Sequence, residues 1–255
     1  MDVARRRRWG LVRRVGLLAL SLTLVCSFTP AQVVQQPAVG ASPAPQSAAA
    51  TMVLEPGDLY LPGSRVYAFV GKTGFGHEHG VMGQLLASKL QLDATQDAGQ
   101  LVFDMKSFAA DSDTARKYVG LADTTPAATQ REVNANMLGN AVLDTAHNPT
   151  ASFVVQSVTK LRQPSAGGLA QYQLQGDFTL HGVAHPIQVV AEAEEQNGWV
   201  HLRGGFSLLQ SQFGIRPFRK AFGAVGVADE VKVYGDLWIA KERQVVTAAS
   251  APPNH

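Results

Sequence analysis

Between residues 64 and 241 the apolar positions recur mostly with a period of two. Leu101, Phe103 and Met105 share one parity while Asp104 takes the other, the pattern of a strand with one buried face. Residues 64–70 are rich in β-branched and aromatic types, which fit a pleated surface. Residues 81–92 place Leu86, Leu90 and Leu92 on one parity and are expected as a single strand. Segments 151–161, 169–180, 187–195, 199–210 and 230–241 bring the set to eight. Asn197-Gly198 is a strong hairpin signal, because a type I′ turn needs positive φ at both central positions. Residues 164–168 mark another turn.

A helical pattern appears in one place. Thr125 is suited to N-cap and Pro126 to the first helical position, Val133 and Met137 lie four apart, and Gly139 stands just past the end. Residues 113–121 are expected to add a turn or two. The sum is an all-β domain of eight antiparallel strands with one short helical insertion. Closure into a barrel removes both exposed edges, and a two-sheet sandwich is the alternative. With the parity above, Leu101, Phe103, Met105, Phe153, Val155, Phe178, Leu180, Phe206 and Leu208 point inward. A barrel of this size is either filled by its own side chains or holds one small ligand, and the pattern leaves both open.

Composition changes the picture at the ends. The chain has 255 residues, 45% of them hydrophobic, with a formal charge of +2. Six arginines crowd the first fourteen positions, and without residues 1–31 there remain 16 basic and 19 acidic residues. The folded part therefore has no basic excess of the kind a nucleic-acid binder needs. Residues 1–31 read as a signal peptide: an Arg-rich start, an apolar run from Val15 to Phe28, and a small-residue cleavage site at 29–31. That run is shorter than the roughly 20 residues of a stable membrane-spanning helix, so no stable transmembrane anchor is expected. Residues 32–51 hold six Ala, four Gln and three Pro without charge, and are expected as a disordered linker. Residues 247–255 are expected as a disordered tail, leaving 52–246 as one domain. Cys26 is the only cysteine, so that domain has neither disulfide nor thiolate.

Candidate chemistry is sparse. No G-x-S-x-G, no H-E-x-x-H and no cysteine nucleophile is present, so no enzyme is expected. His77 and His79 would share one face of an extended segment, but zinc needs three or four ligands, and the third would have to come from His147, His181 or His185. A polar turn is the favoured reading there. Arg216, Arg219 and Lys220 lie in a Gly-rich stretch, 210–226, where arginines could hold a phosphate-bearing headgroup or form a solvated basic loop.

Residues Gly176-Asp177-Phe178-Thr179-Leu180-His181-Gly182-Val183-Ala184-His185-Pro186-Ile187 resemble the signature of the YceI-like polyisoprenoid-binding family. Ser64-Arg65-Val66 with Gly74-Phe75-Gly76, Asn148-Pro149-Thr150-Ala151-Ser152-Phe153, Phe213-Gly214-Ile215 and Val227-Ala228-Asp229-Glu230-Val231 resemble further family elements in the same order. The resemblance spans about 60–242. It implies a lipocalin-like barrel, exported to the periplasm or secreted, holding an isoprenoid-type lipid such as a quinone tail or polyprenyl phosphate, with no other cofactor required. The nine inward residues would then line the ligand. Two alternatives stay open: a non-catalytic structural or interaction domain with a self-filled barrel, or a periplasmic metal binder through His77 and His79. Pairing of two barrels as a homodimer is left open as well.

Overall fold

Eight antiparallel strands form a ring. A computed structural model of the chain describes residues 51–247 and 251–252, all within one structural unit. The expected leader and nearly all of the expected linker lie outside the described residues. The ring is built from β2 (Arg65–Gly74), β3 (His79–Leu85), β5 (Gly99–Ala110), β6 (Thr150–Lys160), β7 (Ala170–Leu180), β8 (Val183–Gln196), β9 (Trp199–Leu209) and β11 (Val225–Ala240). Each pairs with the next in that order, and β11 also pairs with β2, so no ring strand has a free edge. Shorter pieces complete the element order: β1 (Met52–Leu54), β4 (Lys89–Leu90), β10 (Arg219–Lys220) and β12 (Gln244–Val246).

The sequence expectation of an all-β, eight-stranded antiparallel fold agrees with this ring. Two hairpins show the local cause. Asn197 and Gly198 have φ of 51° and 79°, and His181 and Gly182 have 53° and 77°, so both two-residue connections place their central residues in the left-handed region. The second hairpin lies inside the family-like signature and joins β7 to β8.

Two local expectations need correction, while the short helical stretch expected within 113–121 forms. Residues 81–92 are two pieces, because the chain leaves β3 at Leu85 and returns only for the two residues of β4; Leu86 is exposed while Leu90 is fully buried. The insertion between β5 and β6 holds two helices, α1 (Asp113–Tyr118) and α2 (Ala127–Leu138). Ser112 caps α1, accepting the Ala115 N–H at 3.2 Å. The cap of α2 is Pro126 rather than Thr125. Its ring cannot offer a capping oxygen, and the Thr125 carbonyl instead accepts from the Gln130 side chain at 2.9 Å.

Bulges tune which side chains face inward. The β3–β5 register shifts between Met82 and Gln84, and Phe108 packs where Gly83 has no side chain: a Cβ there would lie 2.3 Å from the Phe108 ring. The β6–β7 register shifts between Val155 and Ser157, which lets Val155 and Val158 both be buried.

Candidate functional site

The interior divides into a filled part and an open part. Leu59, Leu90, Val158, Leu174, Val200 and Ile239 pack the end where β8 turns into β9. Toward the other end, where β2 meets β3 and β7 meets β8, a cavity of about 200 Å³ remains. β2 lends Val66, Ala68 and Val70 to its wall, and β11 lends Val227, Val231 and Val233. β5 supplies Phe103, Met105, Phe108 and Ala110, while α2 leans over the opening with Val133, Asn136 and Met137. Ile215 and Phe218 come from the loop after β9. Of the whole lining only His79, Asn136 and Gln210 are polar.

Two of those polar groups are engaged. His79 Nδ1 lies 2.7 Å from the Asp111 carboxylate, and Gln210 Nε2 donates to the Ala228 carbonyl at 2.8 Å. Asp111 is buried and holds a left-handed φ of 64° at the end of β5. It accepts from Arg116 Nη1 at 2.9 Å and from the Gly80 N–H at 3.2 Å. Burial alone would raise its pKa, but the hydrogen bond and charge of His79, with the hydrogen bonds from Arg116 and the Gly80 N–H, outweigh it and hold the carboxyl below its ordinary value. Arg116 is buried too and also binds Asp123 and the Glu78 carbonyl. This network pins α1 to the β2–β3 turn beside the cavity.

A smaller cavity of about 60 Å³ lies deeper. It shares Val66, Phe103, Phe178 and Val233 with the larger one. Phe103 and Phe178 meet edge to face at 6.1 Å, and Phe178 also packs on Phe206 at 5.2 Å and Phe213 at 5.8 Å. The two rings form the partition between the cavities.

The nine residues expected to point inward separate accordingly. Phe103, Met105, Phe178, Leu180 and Leu208 line the larger cavity. Leu101, Phe153 and Phe206 line the smaller one with Phe103 and Phe178. Val155 touches neither and is part of the packed end. Arg216, Arg219 and Lys220 are exposed beside Ile215 and Phe218, and Lys220 Nζ bonds Glu132 of α2 at 2.7 Å. His77 lies in the segment between β2 and β3, and His79 is the first residue of β3. Among the described residues no three His, Cys, Asp or Glu side chains gather where a metal could sit.

Sequence reasoning missed the walls from β2 and β11, the Asp111 network and the cover by α2. The alternation of Val66, Ala68 and Val70 was a usable signal for β2. In β11 the register shifts between Val227 and Val231, which hides the same signal. Nothing local marks Asp111, whose role depends on partners 32 and 5 positions away.

No helix among the described residues is long and apolar enough to cross a membrane. No curated protein matches the chain. Solved structures similar to it include BcnA of Burkholderia cenocepacia, at 20% identity and a TM-score of 0.47, covering 72% of this chain and 100% of that one. A polyisoprenoid binding domain from Saccharophagus degradans, implicated in plant cell wall breakdown, is 15% identical with a TM-score of 0.45, covering 72% and 97%. The YCEI protein of Campylobacter jejuni is 10% identical with a TM-score of 0.37, covering 63% and 81%. The model of the YceI-like domain matches residues 63–238, which takes in the whole ring but for the last two residues of β11, and the chain therefore belongs to the YceI-like domain family.

Proposed function

We propose that the protein is an exported, non-catalytic carrier of an isoprenoid-type lipid, with the apolar chain in the ring and any headgroup at the open end. The observation that carries the reading is the larger cavity, whose lining is apolar except for three side chains, two of them already hydrogen bonded. Each buried methylene gains about 0.8 kcal/mol, so such a wall holds a hydrocarbon chain without specific hydrogen bonds. The similar domain from Saccharophagus degradans is described as polyisoprenoid binding.

At about 200 Å³ the cavity is below the ~300–1,000 Å³ of ordinary small-ligand sites. It takes only part of a long chain while Phe103 and Phe178 stay in place. Rotation of either ring joins it to the deeper cavity, so the aromatic partition sets the chain length that fits. At the open end Arg216 and Arg219 flank the cavity-lining Phe218, and their guanidinium groups suit a phosphate or pyrophosphate.

Native mass spectrometry with lipid extraction on protein purified from a bacterial host tests this. A stoichiometric adduct of quinone or polyprenyl mass, lost in Phe103→Asp, supports the carrier. A protein that stays apo when offered such lipids defeats it and leaves an interaction domain as the reading.

A further inference from the structure

The open end carries a feature that the cavity does not explain. Phe75, in the turn between β2 and β3, is 87% exposed, and Phe222, in the short turn Ala221–Gly223, is fully exposed. The two belong to one projecting tip. Lys220 pairs with Val225 and Val225 with Gly74, so β10, β11 and β2 run side by side there. The Phe75 N–H donates to the Ala224 carbonyl at 2.9 Å, fastening one turn to the other. Ala221 and Phe222 have φ of 50° and 55°, a conformation that costs two consecutive non-glycine residues free energy. Side chains so exposed return nothing to folding, so the packed core does not account for them.

Charge gives the second observation. The two segments of the tip, 72–78 and 214–224, hold Lys72, Arg216, Arg219 and Lys220 against one carboxylate, Glu78. Residues 32–255 as a whole carry more acidic than basic side chains, 19 to 16, so the positive charge is concentrated at this end. Lys220 pairs with Glu132. Lys72, Arg216 and Arg219 have no ion-pair partner among the described residues.

Aromatic side chains projecting from turns and ringed by cations match an interface of apolar interior and negative surface. We propose that this tip docks on an anionic lipid bilayer, Phe75 and Phe222 entering the acyl boundary while Arg216, Arg219 and Lys72 meet the headgroups. Ile215 and Phe218, which line the cavity, sit in the same loop as Arg216 and Phe222, so docking brings the cavity wall to the membrane. The docking itself stands on the tip; its purpose, exchange of the bound chain with the bilayer, rests on the carrier reading. A protein partner is the competing occupant, and two separate projecting rings suit a fluid interior better than a matching solid surface.

Phe222→Trp in the full chain reports on the tip directly, with the parent's own Trp9, Trp199 and Trp238 subtracted as background. Vesicles of mixed phosphatidylglycerol and phosphatidylcholine are expected to shift the emission of the introduced indole to the blue. Pure phosphatidylcholine should shift it little. In the same background Arg219→Glu is expected to weaken binding about fivefold or more, and Phe75→Ser roughly tenfold. No shift with anionic vesicles, or an equal shift with zwitterionic ones, overturns the docking. Native mass spectrometry of the Phe222→Trp protein keeps the two readings apart: lipid retained without a vesicle response sinks docking alone, and a vesicle response without retained lipid sinks the carrier alone.

Discussion

The two ends of the ring are made of the same strands and differ in what lies across them. At the end of the β8–β9 hairpin, β9 and β11 are buried on both faces. Leu202, Val200, Leu237 and Ile239 fill the inside, while Trp199, Trp238 and Ala240 pack outside against Tyr60, Leu54 and Val246. The paired β1 and β12 cover that outer cluster, and Ala251 packs on it as well. Buried Ser64 donates to the Tyr60 carbonyl and accepts the Trp238 N–H, both at 2.9 Å, so no polar group is stranded in the seal. At the open end the cover is α2, none of whose residues is buried. Polar bonds hold it instead: Asn134 Oδ1 accepts the Ala110 N–H at 2.7 Å, and Gln130 donates to the Asp111 carbonyl at 2.8 Å. One end is sealed by apolar area, the other closed by a cover that hydrogen bonds hold in place. Stability therefore resides in the first, while the second leaves the space in which the proposed carrier would admit its ligand.

The comparison breaks hardest in the sealed end. Trp238→Ala removes a ring stacked on His201 at 4.1 Å and a large part of the outer cluster, and is expected to cost about 3–5 kcal/mol by denaturant unfolding. Met137→Ala in α2 should cost less than about 1 kcal/mol, since that side chain is only partly buried. Equal costs for the two would refute the assignment of stability to one end.

Asp111→Asn tests how α1 is fastened to the β2–β3 turn at the open end. Loss of the charged hydrogen bond to Arg116, which keeps Asp123 and the Glu78 carbonyl, is expected to cost about 2 kcal/mol. The same bond makes the fastening acid-sensitive. A carboxyl with a lowered folded-state pKa stabilises the fold fully above its ordinary value of 3.8 and loses that contribution as pH falls through the lowered one. Amide exchange followed from neutral pH down should show α1 and the β2–β3 turn loosening below about pH 4 while the β1–β12 end stays protected. The acid step should be weaker in Asp111→Asn.

A finer test acts on the partition. Phe178→Ala joins the two cavities, and lipid extracts of the variant are expected to shift toward longer chains. Ala68→Phe does the opposite from the wall of the larger cavity, abolishing lipid uptake while changing stability by no more than about 1–2 kcal/mol. Undiminished uptake by Ala68→Phe would place the ligand elsewhere.

Much of this was legible in the chain itself. Period-two patterning located the strands of the ring, though not the break between Leu85 and Lys89, and the φ demand of Asn197-Gly198 marked one hairpin, because both are local properties of a backbone and its side-chain alternation. The inward parity of Leu101, Phe103, Met105, Phe153, Phe178, Leu180, Phe206 and Leu208 followed from the same alternation. What alternation cannot say is how far a ring is filled. That depends on side chains from six or more strands meeting at one level, on bulges such as the one before Ser157, and on whether a ribbon or a helix lies across the end. So Val155 and Phe103, alike in pattern, part ways: one is core at the sealed end and the other borders two cavities. His79, Asp111 and Arg116 come together only because β3 pairs with β5 and α1 follows directly, and the cation-ringed Phe75 and Phe222 meet only because β10, β11 and β2 lie side by side. Proximity between distant segments is a property of the closed sheet, and only the tertiary structure decided it.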